Sequence, residues 1–378
     1  MSQYILLLGN TPALSLAELQ ALLTNKEIVQ WDQHLAAIDL EDDAQAQQLQ
    51  LLLSGVYKIF KIIQVLDQDQ ADEQIAAYLA TENERPEFAL NGWKKLQNQY
   101  SPQSIKKALK QKNISCRYRQ SDQWGASSAI TEHDEEFIDL MVVEHESQHV
   151  LLKTVAAQDV DEWVNRDRNK PYAEGRKGML PPKLARVMVN IALGHLATDA
   201  EISPVLYDPF CGTGTVLIEA LLRGCEVVGS DLDHDAVAGS LENLYWLEDE
   251  YEQKFSYQVF QADVAHVAQR NWQTKIDLIV TEPFLGKPNP KDKELPNIYK
   301  GLTSLYLGAF KAWTEILNPG AVIVIVFPFV DTKNKRYDLQ GLIDKLAKYG
   351  YTPLVKSIEY YRDRAIVKRE LMIFQFQQ

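Results

Sequence analysis

Asp208-Pro209-Phe210-Cys211-Gly212-Thr213-Gly214-Thr215 lies between two apolar runs, Val205-Leu206-Tyr207 before it and Val216 to Leu222 after it. The first run suits a buried strand and the second a helix. The octad therefore reads as a strand–loop–helix turn, where a doubly wound α/β fold holds its ligand. Gly212 and Gly214 carry no side chains, so backbone N–H groups can approach a ligand closely. Asp208 ends the strand and puts a carboxylate beside that loop. A carboxylate disfavours a pyrophosphate and suits a cation or an amine. That points away from a dinucleotide and towards S-adenosylmethionine. A bare Gly-x-Gly is as often a tight turn as a ligand loop; the octad in its strand–helix frame says more.

Further acids follow at strand ends. Glu226-Val-Val-Gly-Ser-Asp231 is a short strand ending in Asp231, 23 residues after Asp208. Such folds place a ribose-binding carboxylate at about that spacing. The alternative is a helix N-cap for Asp235–Glu248; Asp233 and Asp235 themselves read as caps. Asp263 follows the strand Phe255–Phe260 and can accept from an adenine amine, or is simply a solvated loop acid. Ile276–Val280 then leads into Thr281-Glu282-Pro283-Phe284-Leu285-Gly286. An acid, a proline and an aromatic at a strand's carboxyl end suit a flipped base. Phe284 can stack on the ring, while Glu282 or a carbonyl accepts from the exocyclic amine. An aryl amine is a poor nucleophile, because its lone pair is delocalised into the ring. Acceptors that orient it and carry its growing positive charge are the plausible catalytic device. A plain strand–loop corner is the alternative.

These residues need a sheet to hold them. The chain has 378 residues, room for two or three domains, and 46% hydrophobic content, enough for real cores. Residues 1–80 alternate strands (Tyr4–Leu8, Val56–Leu66) with helices (Leu14–Leu23, Asp67–Leu79). Ser15 and Glu18 have the spacing of a capping box. Residues 85–158 repeat the style, with a lysine-bearing helix from Pro102 to Lys112 and strands at Glu87–Leu90, Ser115–Arg119, Phe137–Glu144 and His149–Ala156. A basic, irregular segment from Val160 leads to the helix Lys183–Leu196. From Asp208 to Phe329 strand and helix periods alternate, as a parallel sheet requires. The run Ala321–Val330 is a fully buried strand. A helix, Leu339–Tyr349, and two strands, Tyr351–Tyr360 and Ala365–Phe376, joined at Arg362-Asp363, close the chain.

A net charge of −13 argues against nucleic-acid binding through the overall field. Local patches can still bind. Ile105–Arg119 carries Lys106, Lys107, Lys110, Lys112, Arg117 and Arg119 with no acid. Asn165–Arg186 carries Arg166, Arg168, Lys170, Arg176, Lys177, Lys183 and Arg186 against Asp167 and Glu174. Solvated charged faces are one reading and a phosphate track is the other. Cys116, Cys211 and Cys225 lack C-x-x-C spacing, which gives no zinc signature and fits free thiols in a reducing cytoplasm. Neither a signal peptide nor a run of membrane-spanning length is read.

Asp208–Ala220, D-P-F-C-G-T-G-T-V-L-I-E-A, resembles the first motif of N2-guanosine RNA methyltransferases. Asn165–Pro171 followed by Gly178–Arg186 resembles the junction of one branch, the THUMP-domain tRNA guanosine-N2 methyltransferases acting at position 10. Leu6–Leu22 looks like that branch's opening domain, and Ser104–Asp167 is similar to a THUMP module. The resemblance implies an α/β protein: a ferredoxin-like α+β domain over 1–80, a THUMP-like RNA-binding domain over 81–160 and a Rossmann-like methyltransferase domain over 161–378. It implies S-adenosylmethionine as cofactor and tRNA as partner. Asp208, Phe210, Gly212 and Gly214 would hold the methionine end, Asp231 the ribose and Asp263 the adenine. Met179 and Pro181, in the stretch Met179–Pro182, would close over the cofactor. Glu282, Pro283 and Phe284 would be catalytic, and Lys106, Lys107, Lys110, Arg117, Arg166 and Arg168 would bind RNA. One departure stands out. The family usually carries D-P-P-Y-G where this chain has Glu282-Pro283-Phe284-Leu285-Gly286. The aromatic moves by one residue and loses its hydroxyl, so the target base can differ. A ribosomal-RNA guanine or a DNA adenine is the alternative substrate. A catalytically silent RNA-binding module, or a subunit needing a small activator, is the alternative class.

Overall fold

A computed structural model describes residues 2–97, 99–120, 137–173, 179–197, 203–361 and 365–377. Arg176, Lys177, Gly178 and the Arg362-Asp363 turn, all used above, lie outside the described residues. The chain forms two compact units, Met1–Ser15 with Asn25–Val164, and Leu16–Thr24 with Asn165–Gln378.

In the first unit eight strands form one sheet: β1 (Ser2–Leu8), β2 (Val29–Gln30), β3 (Leu35–Leu40), β4 (Val56–Leu66), β5 (Glu87–Gly92), β6 (Arg117–Tyr118), β7 (Phe137–His145) and β8 (Gln148–Ala157). Their spatial order is β2-β3-β1-β4-β8-β7-β5-β6. This sheet runs unbroken through both segments for which separate domains are expected above. Successive residues of β7 face opposite cores. Leu140 and Val142 pack with Ile75, Leu79, Ile105 and Leu109, whereas Met141 and Val143 pack with Ile5, Phe60 and Trp93. That period of two marks a strand buried on both sides. Ile75 and Leu79 come from the helix Ala71–Glu82, and Ile105 and Leu109 from the helix Pro102–Gln111.

The second unit carries β9 (Val205–Asp208), β10 (Glu226–Asp231), β11 (Tyr257–Gln261), β12 (Ile276–Thr281), β13 (Leu317–Asp331), β14 (Arg336–Tyr337), β15 (Tyr351–Pro353), β16 (Ile358–Tyr360) and β17 (Lys368–Phe376). The order is β11-β10-β9-β12-β13-β17-β15. The first five strands are parallel and β17 is antiparallel to β13. Strand order reverses between β9 and β12, which is the switch point where such sheets open a crevice. The helices Pro182–His195, Thr215–Leu221, His234–Glu250 and Leu295–Trp313 connect and cover the sheet. Among the described residues no helix is long and apolar enough to cross a membrane.

Two local expectations are corrected. Ser15 and Glu18 do not form a capping box. The helix starts earlier, at Pro12, where the Thr11 carbonyl accepts from Leu14 N and Ser15 N. Ser15 Oγ instead donates to the Gly55 carbonyl at 2.6 Å, and Glu18 is buried, accepting from Asn190 Nδ2 at 2.6 Å. The expected strand Tyr351–Tyr360 is two short strands, β15 and β16, pairing different stretches of β17.

Candidate active site

The octad forms the turn between β9 and the helix Thr215–Leu221. Asp208 is the last residue of β9 and is only 2% exposed. Its Oδ1 accepts from Thr281 Oγ1 at 2.6 Å and from Phe210 N at 3.1 Å. Gly212 N donates to Asp231 Oδ2 at 3.0 Å, and Asp233 N donates to the other Asp231 oxygen at 3.0 Å. Gly212 and Gly214 have φ of +48° and +77°, in the left-handed region that favours glycine. A Cβ on Gly214 would come within 2.5 Å of Ser240 Oγ, so this glycine is required by space as well as by φ.

One cavity opens above this turn. It is lined by Met179, Leu180, Asp208, Phe210, Cys211, Gly212, Thr213, Thr215, Val216, Asp231, Ala236 and Glu282. Three carboxylates therefore converge from the carboxyl ends of the neighbouring strands β10, β9 and β12. Burial pushes the Asp208 carboxyl up to about 7; the Thr281 and Phe210 donors oppose this, and the charges of Asp231 and Glu282 add to it. Burial and the Asp208 and Asp231 carboxylates raise the Cys211 thiol well above its ordinary value, which keeps it from acting as a nucleophile.

Beyond β12, Glu282 is gripped at both carboxylate oxygens by Arg369, Nε at 3.0 Å and Nη2 at 3.3 Å. Pro283 is buried. Phe284 is 62% exposed, and its carbonyl accepts from the buried Tyr306 hydroxyl at 3.0 Å. The backbone is thus anchored while the ring stays open to solvent.

The structure brings Met179, Asp208, Phe210, Gly212, Asp231 and Glu282 to one cavity and leaves other expected residues outside its lining. Gly214 shapes the turn. Pro181 precedes the helix Pro182–His195 as its cap residue. Asp263 is exposed and caps a short helical turn, accepting from Ala265 N at 2.9 Å. Asp233, not Asp231, caps the helix His234–Glu250.

The basic junction needs correcting. Arg166 is buried, its Nε donating to Glu219 Oε1 at 2.8 Å and its Nη1 to the Tyr251 hydroxyl at 3.1 Å. Arg186 donates to the other Glu219 oxygen at 2.8 Å, and buried Lys170 reaches Thr215 Oγ1 at 3.0 Å. Asn243 Nδ2 ties the Tyr172 and Thr213 carbonyls together, at 2.9 and 2.8 Å. This segment props the octad from behind, so Arg166 is no surface contact for RNA. Arg168 is exposed. In the first unit Lys106, Lys107 and Lys110 are exposed on the helix Pro102–Gln111, opposite buried Ile105, Ala108 and Leu109. Arg117 and Arg119 are not unopposed, since Glu87 pairs with both.

Three residues escaped the sequence reading. Thr281 is a lone hydroxyl ending an apolar strand, a signal that was readable. Arg369 and Tyr360 sit opposite each other in the β16–β17 pairing. Nothing local in the sequence connects them to Glu282.

A family profile described as the RMKL-like methyltransferase domain, UPF0020, matches residues 171–327. The tRNA (guanine(10)-N2)-dimethyltransferase of Methanocaldococcus jannaschii is 29% identical over 224 residues, 56% of this chain and 56% of that protein. The "Probable tRNA (guanine(10)-N2)-dimethyltransferase" of Methanothermococcus thermolithotrophicus is 34% identical over 183 residues, 48% of this chain and 98% of that sequence. Of the first of these relatives the chain spans about half the length. TrmN from Thermus thermophilus shares the fold, with a TM-score of 0.56 at 16% identity over 99% of each chain. So does a protein titled a possible methylase, from Clostridium difficile 630, with a TM-score of 0.55 at 13% identity, covering 100% of this chain and 98% of the other.

Proposed function

The chain belongs to the tRNA guanine-N2 methyltransferase family, and from that membership we propose that it methylates the N2 amine of a guanosine in tRNA, at position 10 as in the names of its relatives, with S-adenosylmethionine as donor. The observation that carries this reading is the convergence of Asp208, Asp231 and Glu282 on one cavity at the sheet's switch point. Three acids suit a ligand bearing sulfonium and ammonium charges and disfavour a phosphate. Space is also left for it: a Cβ on Gly212 would meet nothing closer than the Phe210 carbonyl at 4.0 Å.

In this reading Asp208, Phe210 and Gly212 hold the methionine end, with Gly214 supplying the turn. Asp231 keeps the loop in place through Gly212 N and takes the ribose. Asp263 takes the adenine, and Met179 to Pro181 close over the cofactor. When bound, the cofactor supplies an electrophilic methyl group whose carbon–sulfur bond breaks with its electrons going to sulfur. Glu282 accepts from the target amine and offsets the positive charge growing there. Exposed Phe284 stacks on the base, on a backbone fixed by Pro283 and the Tyr306 hydroxyl. The lysines of the helix Pro102–Gln111, with Arg117 and Arg168, contact RNA phosphates. Free thiols at Cys116, Cys211 and Cys225 fit work in a reducing cytoplasm.

The test is incubation with methyl-labelled cofactor and total tRNA, followed by nucleoside mapping. Label in N2-methylated guanosine is expected. Label in another nucleoside, or none in any tRNA, would overturn the proposal.

A further inference from the structure

Glu282 stands where the family resemblance expects aspartate, and glutamate adds a rotatable bond. A longer side chain loses more freedom when it must hold one pose. Arg369 supplies the hold. Its Nε and Nη2 donate to the two carboxylate oxygens at 3.0 and 3.3 Å, a planar fork on a planar acid. The grip comes from β17, which is fixed along its length against β13, Arg369 pairing with Pro328. On the other side, β16 places Tyr360 opposite Arg369. The Tyr360 hydroxyl is buried beside the Glu282 carboxylate. Glu282 still lines the cavity, beside Asp208.

We infer that Arg369 is the positioning residue for the target amine: it fixes the longer Glu282 side chain so that its carboxylate is presented to the cavity in one pose. This rests on the methyl-transfer reading above. The groups facing Glu282 are Arg369 from β17, Tyr360 from β16, Asp208 from β9 and Tyr306 from the helix Leu295–Trp313. Arg369 is the one cation in that set, and its fork holds both carboxylate oxygens in one pose among two phenols and a second carboxylate. Lysine cannot replace it fully, because an ammonium is a single point charge without the fork.

The experiment compares the full chain with Arg369→Met and Arg369→Lys, using tRNA and saturating cofactor. A displaced acceptor should lower kcat of Arg369→Met roughly a hundredfold. KM for tRNA should stay within about threefold, since the loss falls on the transition state. Arg369→Lys should recover part of kcat. Cofactor affinity by calorimetry should match the parent in both. Wild-type kcat in Arg369→Met would overturn the role. Should that variant fail to fold, Arg369→Lys decides: full kcat there would show that the fork is not needed. A parent chain that methylates no tRNA would overturn the functional reading, and this role with it. An active parent with an indifferent Arg369 overturns the role alone.

Discussion

The Thr281 hydroxyl donates to the Asp208 carboxylate at 2.6 Å and so ties together the ends of two neighbouring parallel strands, β12 and β9. Both residues are buried. The bond orients the acid but does not neutralise it, and burial still pushes the carboxyl up to about 7. An acid in that state favours a cationic ligand, which would restore its charge.

Asp208 should therefore lower stability as pH rises. Its folded pKa of about 7 lies above the ordinary value of 3.8, so the native state keeps a proton that the unfolded chain has lost. Unfolding free energy falls with pH across that window and levels off above it. Asp208→Asn mimics the protonated form and escapes the loss. The variant should gain on the parent from about pH 4 to pH 7, up to a ceiling of roughly 4 kcal/mol. Urea denaturation at several pH values measures this, and a stability difference that does not change with pH would refute it.

Asp208→Ala should abolish binding of S-adenosylmethionine while the circular dichroism spectrum stays native. Alanine removes the only strand-end acid of the octad and leaves Thr281 Oγ1 and Phe210 N without their acceptor. Micromolar binding in calorimetry would remove this loop from the cofactor site.

Glu282→Ala and Phe284→Ala should each reduce methyl transfer strongly. An oriented acceptor in a dry site is worth roughly 3 kcal/mol, about a hundredfold in rate. Cofactor affinity should change much less. Normal turnover in both variants would make the loop a structural corner.

Buried charge behind the octad makes a separate prediction. Glu219 is shared by Arg166 and Arg186, and its side chain has no exposure. Glu219→Gln leaves two buried guanidiniums without their counter-charge and should cost roughly 3–5 kcal/mol. Arg166→Met leaves Glu219 paired with Arg186 and should cost less. Denaturation of the two variants gives the order, and the reverse order would show that the acid is not the hub.

Local patterns were the legible part. The octad, the acid 23 residues on and the acid–proline–aromatic loop were readable because strand, loop and helix follow each other in sequence. Partners far apart were not. Arg166 meets Glu219 across 53 positions and Arg369 meets Glu282 across 87. Counting charge in a segment cannot tell a solvated cation from one turned inward, so the basic junction read as a phosphate track. Ser15 and Glu18 had cap spacing, but the backbone began its helix at Pro12.

Docking of tRNA by the first unit is expected to depend on the face of Lys106, Lys107 and Lys110. These lysines are exposed on one helix whose other face is held in the core by Ile105, Ala108 and Leu109. The helix should therefore survive their replacement. Phosphate contacts release counterions, so tRNA affinity should fall steeply with salt. Replacing all three with glutamine should weaken binding and flatten the log–log slope by roughly 0.7–0.9 for each phosphate that is no longer neutralised. Cofactor affinity should not change, because the cavity belongs to the second unit. The full chain is the right background for this test. A fragment starting at Val160 would lack Leu16–Thr24, whose Glu18 bonds Asn190 of the helix Pro182–His195. An unchanged salt slope in the triple variant would place the RNA-binding surface elsewhere and leave this helix with a purely structural role.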